Sequence, residues 1–310
     1  MNETYRAAHE RAAFRHRRHR GVLRLTGGDR LSWLQGLITS DVGSLPEGGS
    51  SYGLWLTPQG RMVTDLVVLE TGAETLLDVP LALAAALAQK LDLLIFTEDV
   101  RVTDVSDEIT SIEVVGPRAH DVLGTSRASG VPIVAARHVD RPLHGTVVYV
   151  LTPSLAGVLE SLAHGGAVSL DDDTATVLRV EAGVPEFLID MTEQTIPLEA
   201  GLDHAISHTK GCYVGQEIIV RIRDLAHGRV ARQLVGLLPR GEVVTSTGEP
   251  VSFDGRAVGH VTSAVWSPAL GHPLAMAMLH RDAATAGAIV TLASGDLADV
   301  TSPPGLPTHS

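Results

Sequence analysis

The eight residues Lys210-Gly211-Cys212-Tyr213-Val214-Gly215-Gln216-Glu217 decide how this chain is interpreted. They hold its only cysteine, with a lysine two residues before it and glycines flanking the Cys-Tyr-Val core. The residues that follow predict a short helix, because glycine is tolerated as an N-cap and Glu217 in the first turn suits the helix dipole. A helix N-terminus and a nearby ammonium both favour the thiolate, the reactive and metal-binding form of cysteine.

Two alternatives stay open on these residues alone. The run from Ile218 to Ile222 is rich in β-branched residues, so it also suits a strand. A lone cysteine such as Cys212 is most often a small buried hydrophobe, and residue type alone favours that role.

Length and cysteine content bound the class of protein. A chain of 310 residues is long enough for two or three domains with a core that needs neither a disulfide nor a metal. A single cysteine excludes an internal disulfide, as expected in a reducing compartment. The longest apolar run, residues 81–88, is far shorter than the ~20 residues that span a bilayer. With no secretion signal visible, we expect a cytoplasmic protein without membrane contact.

The charge is uneven along the chain. The net charge is −12, but residues 1–24 carry seven arginines against two glutamates, so the remainder carries −17. A nucleic-acid-binding protein usually has a broad basic face, so a short basic head does not predict direct nucleic-acid binding. We interpret the head as a solvated surface segment, with contact to RNA or an acidic partner as the less favoured alternative.

The pattern of elements predicts an α+β fold rather than a doubly wound sheet. Helical spacing predicts a helix over residues 30–38, and the turn Pro58-Gln59-Gly60 predicts a hairpin between residues 52–57 and 62–70. After Arg232, short strands alternate with glycine turns and predict a small β-barrel or sandwich. The candidate strands are residues 234–238, 251–253, 256–262, 275–279 and 289–292. Residues 302–310, rich in Pro and Ser, predict a disordered tail.

Standard motifs for dinucleotides, phosphates, catalytic serines and paired-cysteine metal sites are absent from the sequence. His204 and His208 precede Cys212 at steps of four, and on a continuous helix the three would share a face and suit zinc. Gly211 argues against that helix, so surface histidines are the favoured interpretation and no metal site is predicted.

Two further stretches carry charged side chains that could contact a ligand. Between residues 210 and 232 five cationic side chains stand against two acidic ones, which predicts either a solvated helix face or an anion site. Within Arg179-Val180-Glu181-Ala182-Gly183, Glu181 is by default a surface residue. In a cleft, its carboxylate could instead accept two hydrogen bonds from the amino and ring N–H groups of a pterin.

Several stretches resemble a known superfamily. The octet closely resembles the signature of the YgfZ family, folate-binding proteins related to the T-protein (aminomethyltransferase) of the glycine cleavage system. Further similar stretches are residues 22–41, 56–65, 116–119, 179–183, 197–202, 254–263 and 267–268. The resemblance runs from about Val22 to Leu292.

The resemblance implies a fold and two functions. The fold is an N-terminal folate-binding module of two intertwined subdomains, residues 1–232, followed by a small barrel, residues 233–301. The YgfZ branch implies a tetrahydrofolate-binding accessory protein for iron–sulfur cluster assembly or repair, with iron–sulfur enzymes such as those of tRNA modification as partners. The alternative is a folate-dependent aminomethyltransferase or demethylase. T-proteins carry a catalytic aspartate near the end of the strand at residues 76–79, and neither Asp78 nor Asp92 matches it.

The resemblance also implies roles for single residues. Glu181 would orient the pterin, Lys210 and Arg223 would meet the anionic tail of the folate, and Cys212 would act as a thiolate facing the cleft. Tyr213 would stack on the ligand or pack in the core. Gln216 and Glu217 would support the loop through hydrogen bonds.

Overall fold

The structure is a computed structural model that describes residues 3–128, 130, 133–140, 143–224 and 228–306. Its helices are α1 Glu3–Glu10, α2 Arg30–Gln35, α3 Ala84–Asp92, α4 Ala119–Ala128, α5 Leu155–His164, α6 Asp172–Glu181 and α7 Gln216–Asp224. Ten strands precede residue 225: β1 Ala13–His16, β2 Arg20–Thr26, β3 Ser50–Leu56, β4 Met62–Glu70, β5 Thr75–Pro80, β6 Arg101–Asp104, β7 Ile109–Val115, β8 Ala135–Val139, β9 Gly145–Leu151 and β10 Val168–Ser169. Six follow: β11 Arg232–Pro239, β12 Pro250–Phe253, β13 Arg256–Ser267, β14 His272–His280, β15 Ile289–Leu292 and β16 Leu297–Thr301.

Two five-stranded sheets make up the N-terminal part, and the chain passes between them. The first has the order β10-β1-β7-β9-β8, and the second β3-β4-β5-β2-β6. Because β1 lies in the first sheet, β2 to β6 in the second, and β7 to β10 in the first again, the two halves are intertwined. The α+β class and the intertwined arrangement are therefore confirmed.

The two sheets pack face to face because strand β4 is apolar on both faces. Leu66 and Val68 point to a core formed with α2 and α3. Val67 and Leu69 point the other way, into a second core that also contains Tyr149 of the first sheet. This alternation is the period of two that a strand imposes on its side chains.

The C-terminal part is a closed barrel with the order β11-β14-β13-β12-β15-β16, in which β16 pairs back to β11. The predicted small barrel is thus confirmed, with one strand, β16, that the sequence analysis did not predict. Its interior is filled by aliphatic side chains such as Val235, Leu237 and Leu279.

Several local expectations change. The helix expected over residues 30–38 ends at Gln35. The short helix predicted after the octet is confirmed as α7, so the strand alternative is wrong. The predicted tail is partly ordered, because Leu306 N–H donates to the carbonyl of Glu181 (2.7 Å); residues 307–310 lie outside the described residues. Within the described residues, no helix has the length and apolar character needed to cross a membrane.

The basic head is not simply a solvated segment. Arg17 and Arg20 are buried and bind Asp78 at 2.5 Å each, and Arg15 binds Glu113 at 2.7 Å. These arginines lie on β1, on β2 and between them, so their charges are neutralised at the contact between the two sheets. The expectation of a solvated head is therefore wrong for these three arginines.

Candidate functional site

A cleft of about 460 Å³ opens beside the hairpin turn between β3 and β4. Its lining combines polar and charged side chains with two apolar ones: Thr57, Gln59, Arg61, Met62, Val63, Lys90, Glu193 and Gln194. The turn supplies one wall, α3 supplies Lys90, and the loop after Met191 supplies Glu193. The volume lies within the usual range for small-molecule sites, roughly 300–1,000 Å³.

The charges of the cleft are largely unpaired. Arg61 donates a hydrogen bond to the side-chain oxygen of Gln194. Among the described residues, neither Glu193 nor Lys90 has an ion pair or a side-chain hydrogen bond. The cleft therefore offers one carboxylate and two cations to a ligand.

The loop that carries Cys212, residues 210–215, is called the cysteine loop; it packs directly on the β3–β4 hairpin that lines this cleft. Gly215 has φ +83°, and a Cβ built there would lie 2.5 Å from the carbonyl oxygen of Thr57. Gly60 has φ +72°, and its Cβ position lies 2.8 Å from Cβ of Ile218. Both positions need glycine for its left-handed backbone and for the close approach of the two loops. The octet is thereby attached to the cleft wall.

Cys212 itself is exposed, four residues before the first residue of α7. The alternative of a small buried hydrophobe is therefore not what the structure shows. Residues 206–215 contain no helix, so the continuous helix needed for a zinc face is not formed. His208 binds Asp203 (3.1 Å), while His204 stacks on Tyr52. Within the described part of the chain, no three His, Cys, Asp or Glu side chains are placed to hold a metal.

Lys210 binds backbone rather than an open anion site. Its Nζ donates to the carbonyl oxygens of Gln35 (2.6 Å), Ile38 (2.9 Å) and Ser40 (2.8 Å). Burial lowers the pKa of Lys210 to about 8, although the charge of Asp41 opposes this shift. An ammonium has three hydrogens, so none is left for the tail of a folate. The predicted contact with that tail loses its physical basis.

The other predicted residues of the octet have structural surroundings. Tyr213 is 7% exposed and packs in the core with residues such as Leu56, which supports the packing alternative; burial raises its pKa to about 12. Gln216 begins α7 and donates its backbone N–H to the carbonyl of Tyr213 (3.2 Å). Glu217 is exposed in the first turn, where it suits the helix dipole but, among the described residues, makes no side-chain hydrogen bond to the loop.

Glu181 lies at a different place, between α1 and the barrel. Its carboxylate accepts hydrogen bonds from the hydroxyls of Tyr5 (2.7 Å) and Ser267 (2.5 Å) and from the backbone N–H of Ala269 (3.3 Å). It is 5% exposed and does not line the cleft. Because its oxygens are already bound within the chain, the contacts favour a structural role over the predicted pterin contact.

Two of the remaining cations near the octet are also paired. Arg223 binds its neighbour Asp224 (2.6 Å), and Arg232 binds the buried Glu199 (3.0 Å). Neither lines the cleft. The local cationic excess seen in the sequence is therefore not a single anion site.

The sequence analysis missed Glu193, Arg61 and Lys90 as site residues. A signal for the first was present: the polar run Thr192 to Thr195 lies between Met191 and Ile196, as expected of an exposed loop that carries a carboxylate. Arg61 stood in the predicted hairpin turn. Lys90 carried no signal, because an exposed lysine near the end of a helix is commonplace.

Comparisons with known proteins agree with this architecture. Residues 1–140 match the family model described as the GCVT N-terminal domain, and residues 232–304 match the glycine cleavage T-protein C-terminal barrel domain. The chain is 28% identical to an aminomethyltransferase of Nostoc sp. over 87% of its length and 77% of the relative's. It is 29% identical to an aminomethyltransferase of Cutibacterium acnes over 87% of its length and 79% of the relative's.

A solved structure supports the fold. The crystal structure of glycine cleavage system aminomethyltransferase T from Bartonella henselae superposes with a TM-score of 0.85 at 20% identity, covering 97% of this chain and 88% of that one. At this identity the likeness shows the fold alone. The two matched models cover an N-terminal domain and a C-terminal barrel domain of this chain, and the fold agrees with both.

Proposed function

We propose that this protein binds a reduced folate in the cleft beside the β3–β4 turn and transfers a one-carbon unit from a donor to that folate, as an aminomethyltransferase or demethylase. The observation that supports this is the unpaired carboxylate of Glu193 in one cleft with the cations Arg61 and Lys90. Tetrahydrofolate is the substrate or cofactor of the matched family.

The donor set of the cleft fits the two ends of a folate. A pterin presents adjacent amino and ring N–H groups, and a carboxylate such as Glu193 can accept both, which fixes the orientation of the ring. The glutamate tail is anionic and suits Arg61, whose guanidinium can bind a carboxylate through two N–H groups, and Lys90 as a point charge. The amides of Gln59 and Gln194 can both donate and accept.

The reaction class follows from the relatives, which are named aminomethyltransferase. Transfer chemistry also needs a group that moves a proton near the reacting carbon. Among the described residues that line the cleft, Glu193 is the one carboxylate, and it is already assigned to the pterin. A measurement of turnover is therefore the test that separates a transferase from a binding protein.

A second candidate function is the tetrahydrofolate-binding accessory role toward iron–sulfur enzymes. Exposure of the Cys212 thiol on a loop that packs against the cleft wall favours it, because an accessible thiol can exchange sulfur or bind a metal centre. The comparisons give no support to the iron–sulfur part of this candidate.

Titration with tetrahydrofolate tests the binding site. Glu193→Gln should weaken binding by at least roughly tenfold, since one partner of a charge-assisted pair is lost. Glu181→Gln is the matched control: it changes the same chemical group outside the cleft, so affinity should stay within about twofold once the folded fraction is corrected. Equal affinity for wild type and Glu193→Gln, or loss of affinity only in Glu181→Gln, would contradict the site.

Turnover separates the two candidates. Purified wild-type protein is incubated with tetrahydrofolate and either an aminomethyl donor, which releases ammonia, or an N-methyl donor together with a two-electron acceptor that oxidises the methyl group, and 5,10-methylenetetrahydrofolate is measured. Catalytic formation that is lost in Glu193→Gln supports the transferase. Binding without turnover, together with loss of iron–sulfur enzyme activity in cells that carry Cys212→Ala, supports the accessory role instead.

A further inference from the structure

The ammonium of Lys210 is held by three carbonyl oxygens that converge on one point. They belong to Gln35, Ile38 and Ser40, at the end of α2 and in the segment after it. These residues lie 170 to 175 positions before the lysine in the chain. The contact therefore ties the cysteine loop to a distant element, and it also satisfies carbonyls that the end of a helix leaves without partners.

A second anchor lies three residues later. Tyr213 is buried among Leu54, Leu56 and Met62. The Nζ of Lys210 lies 5.5 Å from the centroid of the Tyr213 ring, within the range of a cation–π contact. Only Gly211 and Cys212 stand between the two anchors, and both are exposed. The cysteine is thus displayed on a span of two residues that is fixed at each end.

The anchored span continues into the cleft wall. Gly215 lies against the carbonyl of Thr57, and Ile218 lies against Gly60. Thr57 lines the cleft, so a displacement of the loop would change the shape of the cleft where the ligand is proposed to bind.

We infer that Lys210 is a positioning residue. By donating hydrogen bonds to three backbone carbonyls, it holds the thiol of Cys212 at a fixed place beside the cleft. Its charge serves the loop and not the ligand. The function of that placement rests on the proposed folate site. The clamp, by which we mean the three hydrogen bonds of Lys210, does not depend on the folate site. A lysine that only added to overall stability would leave the local mobility of Cys212 unchanged in the folded protein.

The chain offers a direct probe and a matched control. Cys212 is the only cysteine, so a nitroxide spin label attaches there alone, and its mobility is read by electron paramagnetic resonance. The chain has two lysines, Lys90 and Lys210, of which Lys90 lines the cleft and Lys210 does not. The full-length protein is compared as wild type, Lys210→Ala, Lys210→Met and Lys90→Met, each with its melting temperature.

In wild type and Lys90→Met the label should be immobile, and in both Lys210 variants its rotational correlation time should shorten several-fold. Ammonium chloride should restore the immobile spectrum of Lys210→Ala, because an ammonium ion can occupy the space between the three carbonyls. It should not restore Lys210→Met, whose side chain fills that space. Sodium chloride at the same ionic strength is the control. An immobile label in Lys210→Ala, or equal rescue by sodium, overturns the inference.

Should the Lys210→Ala and Lys210→Met proteins fail to fold, Lys210→Arg is measured instead. It keeps the charge, but each nitrogen of a planar guanidinium carries at most two hydrogens, whereas the single nitrogen of an ammonium donates one hydrogen to each of the three carbonyls. We expect label mobility above that of wild type, and a spectrum identical to wild type overturns the clamp.

Addition of tetrahydrofolate separates this inference from the proposed function. In wild type, ligand binding should change the spectrum of the label, and this response should be lost in Lys210→Ala. Lys90→Met should weaken binding while the label stays immobile. If tetrahydrofolate does not bind wild type at all, the folate site is wrong, whereas the ammonium rescue still decides the role of Lys210.

Discussion

Tyr149 of the first sheet donates its phenolic hydrogen to the carboxylate of Asp78 in the second sheet, at 2.5 Å. Asp78 is completely buried, and it also accepts from Arg17 and Arg20. One carboxylate therefore joins the two halves of the N-terminal module. The strand that carries Asp78 leads into α3, which supplies Lys90 to the cleft.

Asp78→Asn should therefore destabilise the protein strongly. The change removes the ion-pair partner of the buried Arg17 and leaves Arg20 with Asp65 alone. Breaking a buried ion pair typically costs about 3–5 kcal/mol of unfolding free energy. Asp299→Asn is a matched control, since Asp299 pairs with Arg240 at the surface (2.8 Å) and its loss should cost no more than about 1 kcal/mol. Urea unfolding of the three proteins measures the difference. Equal costs for the two variants would show that the buried cluster adds nothing special.

The same cluster predicts the response to acid. Burial alone would raise the pKa of Asp78, but Arg17 and Arg20 outweigh it and hold that pKa well below its ordinary value. A carboxyl with a depressed folded-state pKa contributes stability that is present above its unfolded value, about 3.9, and is lost as the pH falls below it. The unfolding free energy of wild type should therefore fall below about pH 4, and Asp78→Asn should show a shallower fall. Parallel curves for the two proteins contradict the assignment.

The parts of the fold that were predictable from sequence are local. The hairpin of β3 and β4 was visible because the Pro58-Gln59-Gly60 turn and the flanking apolar runs are neighbours in the chain. Strands β1 and β10 were not predicted, since each is short and is defined by a partner elsewhere: β1 pairs with β7, about a hundred residues later. Tertiary pairing can make a strand from a segment whose own pattern is weak.

The candidate site shows the same limit. The expectation of an accessible Cys212 came from the resemblance, whereas residue type alone favoured a buried cysteine; the structure has it exposed. The position of Glu181 did not, because its burial depends on Tyr5, 176 residues away, and on Ser267 of the barrel. For Lys210 the sequence predicted an anionic partner, whereas its ammonium binds three carbonyl oxygens from residues far away in the sequence. A charged residue predicts a polar or charged partner, but the sequence alone does not identify the partner that the fold brings near.

Glycine substitutions test the attachment of the octet to the cleft wall. Gly215→Ala should destabilise the protein by about 1–3 kcal/mol, because its left-handed backbone is strained for alanine and the new Cβ would meet the carbonyl of Thr57. Gly211→Ala is the control in the same loop: its Cβ position has no neighbour within 4 Å, so the effect should stay within about 0.5 kcal/mol. Thermal unfolding measures both. If the loop were free of the hairpin, the two variants would behave alike, and tetrahydrofolate affinity would drop in neither.

Deprotonation of Lys210 at alkaline pH should increase the mobility of the cysteine loop. It should not lower the free energy of unfolding of the whole protein. The pKa of this lysine is lowered by burial to about 8, so above that value its amine is neutral in the folded protein and has only two hydrogens for three carbonyls. In the unfolded chain Lys210 keeps its proton up to about pH 10.4. Between about pH 8 and this value the unfolded state therefore binds more protons than the folded state, so the contribution of Lys210 to the unfolding free energy rises with pH. The mobility of a spin label on Cys212 should therefore increase between about pH 7 and 9.5 while the urea midpoint does not fall on account of this residue. In Lys210→Met the label should be mobile at both pH values. A wild-type label that stays immobile throughout would show that the neutral amine holds the loop as well as the ammonium does.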